Sequence, residues 1–135
     1  MNRWKWFQAA LLALIFSVAC PRLHAVKWLA FGPDGGDARS FAVDPHNPSH
    51  LYLGTLTGWL YESEDGGQSW QRLAMVGKRA DLVLDSIVVD KADPNHIVVG
   101  AWVLGSEDGG LYASHDAGKT WTSEADMRGQ SIRAL

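Results

Sequence analysis

Cysteine is nearly missing from this chain of 135 residues: Cys20 is the only one, so no intrachain disulfide can form in any compartment. A basic excess is missing too. With 12 Lys and Arg against 15 Asp and Glu, the net charge is −3, which argues against nucleic acid or an anionic membrane surface as a partner. Long apolar runs are absent, the longest being Ala9–Ala19, too short to span a bilayer. Past the first 25 residues no stretch keeps a 3.6-residue apolar period, so almost no helix is expected there.

The first 25 residues have the layout of a secretory signal peptide: Arg3 and Lys5, then the apolar run, then small residues. Cleavage after Ala25 or after Ala19 leaves a small residue at the cut. Lipidation at Cys20 is an alternative, although Ser17 stands where a lipobox carries Leu. An uncleaved N-terminal anchor is another. Loss of Arg3, Lys5 and Arg22 lowers the basic count from 12 to 9 and takes the mature net charge to −6. A chain cut after Ala25 also has no thiol for catalysis or for a zinc site. Export to the periplasm or the extracellular space is the expectation.

What the chain does have is a repeat. SEDGGQSW (residues 63–70) returns as SHDAGKTW (114–121), matching in Ser, Asp, Gly, a hydroxyl residue and Trp. Upstream, Ser40, Asp44, Pro48, His50 and Gly54 match Ser86, Asp90, Pro94, His96 and Gly100 at an offset of 46. Tyr61 matches Tyr112 at an offset of 51, so five residues enter the second copy near Leu104–Asp108. Arg133-Ala134-Leu135 resembles Arg39-Ser40-Phe41, the opening of a third copy.

Each copy reads as four short strands: Phe41–Asp44, Leu51–Gly54, Trp59–Glu62 and Ser69–Leu73 in the first, then Ile87–Asp90, Ile97–Trp102, Leu111–Ser114 and Thr120–Ser123 in the second. Pro, Asn and Asp punctuate the first turn of each. Four strands repeating every 40–50 residues predict an all-β chain of about two four-stranded antiparallel β-propeller blades, an incomplete propeller after a signal helix. The expected organisation is a signal peptide at 1–25 and a partial propeller at 26–135, with blades at about 38–73 and 84–123 and a third begun at 131–135. A sandwich of two Greek keys accounts for the strands but not for the repeat.

The phrase suits a tight hairpin between third and fourth strands. Asp65 and Asp116 can accept backbone N–H groups a few residues on, and Ser63 and Ser114 add a hydroxyl to the same turn. Gly67 and Gly118 can supply positive φ. Ser69 and Thr120 then restart the strand, and Trp70 and Trp121 fold an apolar face back over the hairpin, worth roughly 2–3 kcal/mol each if dry. In these letters, S-x-D-x-G-x-[ST]-W, the chain resembles the Asp-box or BNR-repeat propellers: bacterial neuraminidases, sortilin-type propellers, xyloglucan-active glycosidases and photosystem II assembly factors. The segment AVDPHNPSHLYLGT looks like their secreted bacterial members. The resemblance covers residues 30–135 and implies the fold. In those families the box lies on the rim, so it carries no catalytic residue over.

Catalysis finds little support. A sialidase resembling the family type needs an Arg-Ile-Pro motif, an arginine cluster, a Tyr–Glu pair and an Asp acid/base; Arg-Ile-Pro is missing, and Asp85 stands where Arg39 does in the first copy. Glu62, Glu64, Glu107, Asp108 and Glu124 read as loop charges rather than a glycosidase pair. His50 and His96 occupy equivalent places in successive copies and His46 lies nearby, an arrangement that spreads imidazoles apart. Neither a metal nor a cofactor is expected, and Ser106–Gly110 reads as a turn rather than a calcium loop.

In an up-and-down blade the first and third turns share one face, and the second turn and the interblade loop share the other. That second face receives the insertion and the connections 75–81 and 124–129, where binding residues concentrate on rigid scaffolds. Lys78, Arg79, Asp81, Trp102, Glu107, Asp108 and Arg128 are the ligand-binding candidates. Two blades do not close a propeller. The expectation is an N-terminal segment of a longer protein, with a ring of self-associating short chains as the alternative. The expected role is a non-catalytic binding or assembly scaffold for a protein or glycan ligand. A secreted glycosidase with its catalytic residues beyond 135, or a photosystem assembly factor, are the alternatives.

Overall fold

The computed structural model describes Gly32, Pro33 and residues 37–135; the signal-peptide and Cys20 expectations lie outside the described residues. These residues are all-β, with two three-residue 3₁₀ turns at Val76–Lys78 and Ala125–Met127. Strands β1 (Ala38–Asp44), β2 (Asn47–Thr55), β3 (Trp59–Ser63) and β4 (Gln71–Met75) form one antiparallel sheet in chain order. Strands β5 (Leu82–Val89), β6 (Ile97–Val103), β7 (Gly109–Ser114) and β8 (Thr122–Ser123) form the second.

The repeat is reproduced in the register. Ser40 pairs with Gly54, and Ser86 with Gly100. The ladder slips at Arg39 in one sheet and at Asp85 in the other, so each first strand carries a bulge at the same place.

Alternation along each strand divides the side chains between two faces. Tyr52 and Leu60 of the first blade are fully buried against Ile97, Val99, Ala101 and Tyr112 of the second, with Leu82 and Leu84 in the same core. The blades also touch through polar groups. Ser40 Oγ donates to the Leu84 carbonyl at 2.5 Å, and His46 Nε2 donates to that of Lys91 at 2.7 Å. Gly54 is required beside the first of these bonds: a Cβ there would collide with Ser40 Oγ and lie 2.8 Å from Leu84 Cβ.

One sequence expectation needs correction. The fourth strands start at Gln71 and Thr122, two residues later than expected from Ser69 and Thr120. The reason is that the Ser69 and Thr120 N–H and hydroxyl groups are spent on the turn aspartates, at 2.6–2.9 Å, and are not free for a ladder. Trp121 folds back on its own hairpin, its Nε1 donating to the Gly118 carbonyl at 2.9 Å, and also packs against the core between the blades; Trp70 lies half-buried beside its own hairpin, edge-on to Phe41.

Candidate functional site

The two ends of the blades differ in kind. At one end, each copy of the repeated phrase closes on itself. Ser63 Oγ donates to Asp65 Oδ1 at 2.8 Å and accepts the buried Gly67 N–H at 2.8 Å. Ser114, Asp116 and Gly118 repeat the arrangement at 2.8 and 2.9 Å. Hydrogen bonds from Ser69, then from Ser63, hold the Asp65 carboxyl down at about 2, and those from Thr120 do the same for Asp116. Gly67 and Gly118 have φ of 88° and 85°. Gly66 N and Ala117 N then reach back to the Ser49 and Asn95 carbonyls, tying the third turn to the first. His50 Nδ1 and His96 Nδ1 each face the Asp of their own first turn, Asp44 and Asp90, at 3.4 and 3.3 Å. The turn hydroxyls and backbone N–H groups are turned inward. This end is built for rigidity.

The opposite end carries the unspent groups. Arg79, on the loop from β4 to β5, forms a forked pair with Asp81 (2.9 and 2.8 Å) and a third bond to Asp108 at 2.9 Å, so the interblade loop is tied to the insertion between β6 and β7. The guanidinium holds both carboxyls below the ordinary range and is itself raised by them. Beside this triad is a cavity of about 320 Å³, lined by Lys78, Arg79, Asp108, Tyr112, Trp121 and Arg128, with Gly77, Gly109 and Ser123 completing the wall. Burial raises the Tyr112 phenol above its ordinary value. Lys78 and Arg128 form no salt bridge among the described residues.

The cavity exists because the two blades differ where the repeat would make them alike. In the first blade Trp59 and Arg72 occupy the places of Gly110 and Ser123. There the Arg72 guanidinium lies 4.9 Å over the Trp59 ring, and its Nε donates to Tyr61 Oη at 3.0 Å. The second blade keeps the tyrosine and loses both neighbours. Backbone geometry brings the loop up to it: Gly77 (φ 66°) and Lys78 (φ 57°) are successive left-handed residues, and a Cβ on Gly77 would lie 2.7 Å from the Tyr112 ring.

The seven candidates therefore divide. Lys78, Arg79, Asp81, Asp108 and Arg128 gather around one cavity and its rim. Trp102 stands apart: its Nε1 donates to Asp85, and the Arg133 guanidinium lies 3.9 Å from its ring centroid. Glu107 lies in a separate shallow depression with Ser106, Gln130 and Arg133. Tyr112, Trp121 and Ser123 line the cavity as well, outside the seven candidates. The signal for them was present in the substitution of Gly and Ser for Trp and Arg at matched positions. Among the described residues no cluster of three or more His, Cys, Asp and Glu is placed to hold a metal ion, and no helix is long and apolar enough to cross a membrane.

No family model matches the chain. Over 84 residues, 61% of its length, it is 31% identical to a probable oligoxyloglucan-reducing end-specific xyloglucanase of Neosartorya fischeri. Over 82 residues, 59% of its length, it is 28% identical to the oligoxyloglucan-reducing end-specific xyloglucanase of Emericella nidulans. The chain spans about 10% of the length of either relative. Among solved structures, an ancestral GH74 enzyme superposes with a TM-score of 0.60 at 23% identity, covering 79% of this chain and 15% of its own. YCF48 bound to a D1 peptide gives 0.55 at 18%, covering 73% and 31%. The GH74 xyloglucanase of Xanthomonas campestris gives 0.53 at 24%, covering 74% and 16%. At these identities the likeness carries the fold: the described residues are two four-stranded blades of an incomplete β-propeller.

Proposed function

We propose that this chain is an exported Asp-box propeller segment that serves as a non-catalytic binding scaffold for a protein or glycan, with the ligand held on the loop face beside Arg79. The observation that carries this reading is the cavity beside Arg79, walled by Ser123 and Tyr112 where the first blade stacks Arg72 over Trp59 and Tyr61. Its floor offers the Tyr112 and Trp121 rings, flat surfaces for a sugar or an apolar side chain. Its rim offers Lys78 and Arg128, cations with no salt bridge among the described residues, and Arg79 is fixed in place by two carboxylates. A left-handed Lys78 is backbone strain of the kind that accumulates at ligand sites. A structural relative, YCF48, binds a D1 peptide, which supports a protein ligand.

Filling the cavity tests the proposal. Gly110→Trp with Ser123→Arg rebuilds the first blade's packing. A Cβ on Gly110 meets nothing closer than 3.4 Å, so the backbone can accept a side chain there. Peptide and oligosaccharide panels are screened by calorimetry against the wild type. Binding that the filled variant loses, with its fold intact by circular dichroism, supports the scaffold. Binding that survives the filling removes the cavity from the mechanism.

A second reading is that the chain is the N-terminal part of a secreted glycosidase. The curated relatives, both xyloglucanases, favour it. Release of new reducing ends from xyloglucan oligosaccharides by a longer form of the chain, and not by residues 26–135, would select this reading.

A further inference from the structure

The cavity beside Arg79 is charged unevenly. Lys78, Arg79 and Arg128 line it, against Asp108 in the wall and Asp81 on the rim. Arg79 takes both carboxylates for itself, through bonds of 2.8–2.9 Å. What the opening then presents is the positive charge of Lys78 and Arg128, on a chain whose net charge is −3. These charges reach the floor. The Tyr112 phenol is raised by burial and acted on by Arg79, Asp108, Asp81 and Arg128, so all four groups stand around its hydroxyl.

Uncharged recognition has less to work with. Trp121 Nε1 is spent on the Gly118 carbonyl at 2.9 Å, which leaves Ser123 and the Tyr112 hydroxyl as the uncharged polar side-chain groups of the wall. Tyr112 is 6% exposed with Gly77 against its ring, so little of its face is open to a pyranose. The partly exposed Trp121 is enough for one apolar side chain.

Lys78 points the same way. It is left-handed at φ 57°, a conformation that glycine adopts without strain. The other left-handed non-glycine among the described residues, Ala117, is held in the repeated turn by its N–H bond to the Asn95 carbonyl at 2.9 Å. A lysine kept where glycine fits more easily puts a cation at the mouth of the cavity against the preference of the backbone.

We propose that this cavity takes an acidic peptide, its carboxylate between Lys78 and Arg128 and a neighbouring apolar side chain against Trp121. The proposal rests on the scaffold reading above and gives it a ligand class. Arg79, fixed by its two carboxylates, positions the loop that carries Lys78 and leaves the anion to its neighbours.

The test uses the full chain on a peptide array in which every sequence appears with Asp and Glu and again with Asn and Gln in their places, each with a free and an amidated C-terminus. Captured sequences are then titrated by calorimetry. Capture is expected only for peptides with a carboxylate. Loss on the Asn and Gln exchange assigns a side chain, loss on amidation assigns the terminus, and either supports the proposal. Lys78→Gln and Arg128→Gln are each expected to weaken binding about five- to tenfold, and raised salt to weaken it further. Lys78→Gly should lose as much while keeping or raising Tm, which a merely structural role for the lysine does not allow. Equal capture of acids and their isosteres overturns the proposal, as does an array that captures nothing. So does an equal loss in Lys119→Gln, which removes an exposed cation at the opposite end. Ser123→Trp fills the wall without adding charge and separates this proposal from the reading beneath it. A xyloglucan or galacturonate oligosaccharide that binds in place of peptides, and is lost in Ser123→Trp, overturns the peptide and leaves the scaffold standing. Acidic peptides that bind Ser123→Trp undiminished overturn both.

Discussion

Replacing Ser114 with Ala removes one oxygen and disturbs three groups. The Ser114 hydroxyl donates to Asp116 Oδ1 at 2.8 Å and accepts from Gly118 N at 2.9 Å and Asp116 N at 3.3 Å. Ser114 is 1% exposed and Gly118 is buried, so water cannot take over the orphaned Gly118 N–H without opening the turn. Leaving a buried donor unmade costs about 1–3 kcal/mol, and the few atoms removed add little cavity. The expected destabilisation is therefore about 2 kcal/mol, a fall in Tm on the order of 8–16 °C for a domain of this size. Ser63→Ala should cost nearly the same, since its hydrogen bonds to Asp65 and Gly67 have the same lengths within 0.1 Å. Thermal and urea unfolding of both variants, followed by circular dichroism, make the measurement. A loss below about 0.5 kcal/mol, the level of an ordinary surface change, would refute the view that this hydroxyl holds the turn.

Ala117 sits at φ 58°, where the first copy has Gly66 at φ 72°; Ala117→Gly should stabilise by about 0.5–1 kcal/mol in the same unfolding assay, because the left-handed strain it relieves exceeds the chain entropy it adds. Gly54→Ala should cost about 1–3 kcal/mol from overpacking and loss of the Ser40–Leu84 bond, whereas Gly66→Ala, with nothing within 4 Å of its added Cβ, should show only the backbone penalty. Asp65 and Asp116 titrate in the folded chain at about 2, below the ordinary 3.8. Their stabilisation is complete above the unfolded value and is lost as the pH falls from about 4 through 2. Tm measured against pH should therefore drop across that window, and drop less steeply in the Asp65→Asn, Asp116→Asn double variant.

The fold was legible because each blade solves the same local problems with the same residues. Turn chemistry at Asp44–Pro48 and Asp90–Pro94, paired glycines at 54 and 100, and the two copies of the phrase state the period directly. What escaped was any consequence of a bond whose partner is distant or whose donors are shared. Ser69 and Thr120 look like strand residues by composition, but Asp65 and Asp116 claim their donors. Trp121 serves its own hairpin through the Gly118 carbonyl and also packs against the core that both blades share, and only the first role is local enough to read from spacing. Sequence spacing did place Lys78, Arg79, Asp81, Asp108 and Arg128 on one face, because the alternation of turns fixes which loops share an end. It could not show that Arg79 would bridge two loops, nor that Trp102 would turn instead toward Asp85.

In a repeat protein, positions that agree between copies are held by what every copy needs, namely the turn, the ladder and the interblade contact. Positions that disagree are free of that demand. Four such disagreements are Trp59 against Gly110, Arg72 against Ser123, Arg39 against Asp85, and the five-residue insertion at Leu104–Asp108. The second leaves only Ser123 in the cavity wall, and the insertion supplies its Asp108 wall. The third exchanges Arg39, paired with Asp37, for Asp85, which turns Trp102 toward its own bulge. Each difference falls on the loop end or faces it, and the turn end repeats its bonds from one blade to the next. The repeated bonds are thus concentrated at the turn end of the strands, and the second blade's departures from the first fall at the other end, where the proposed ligand would sit.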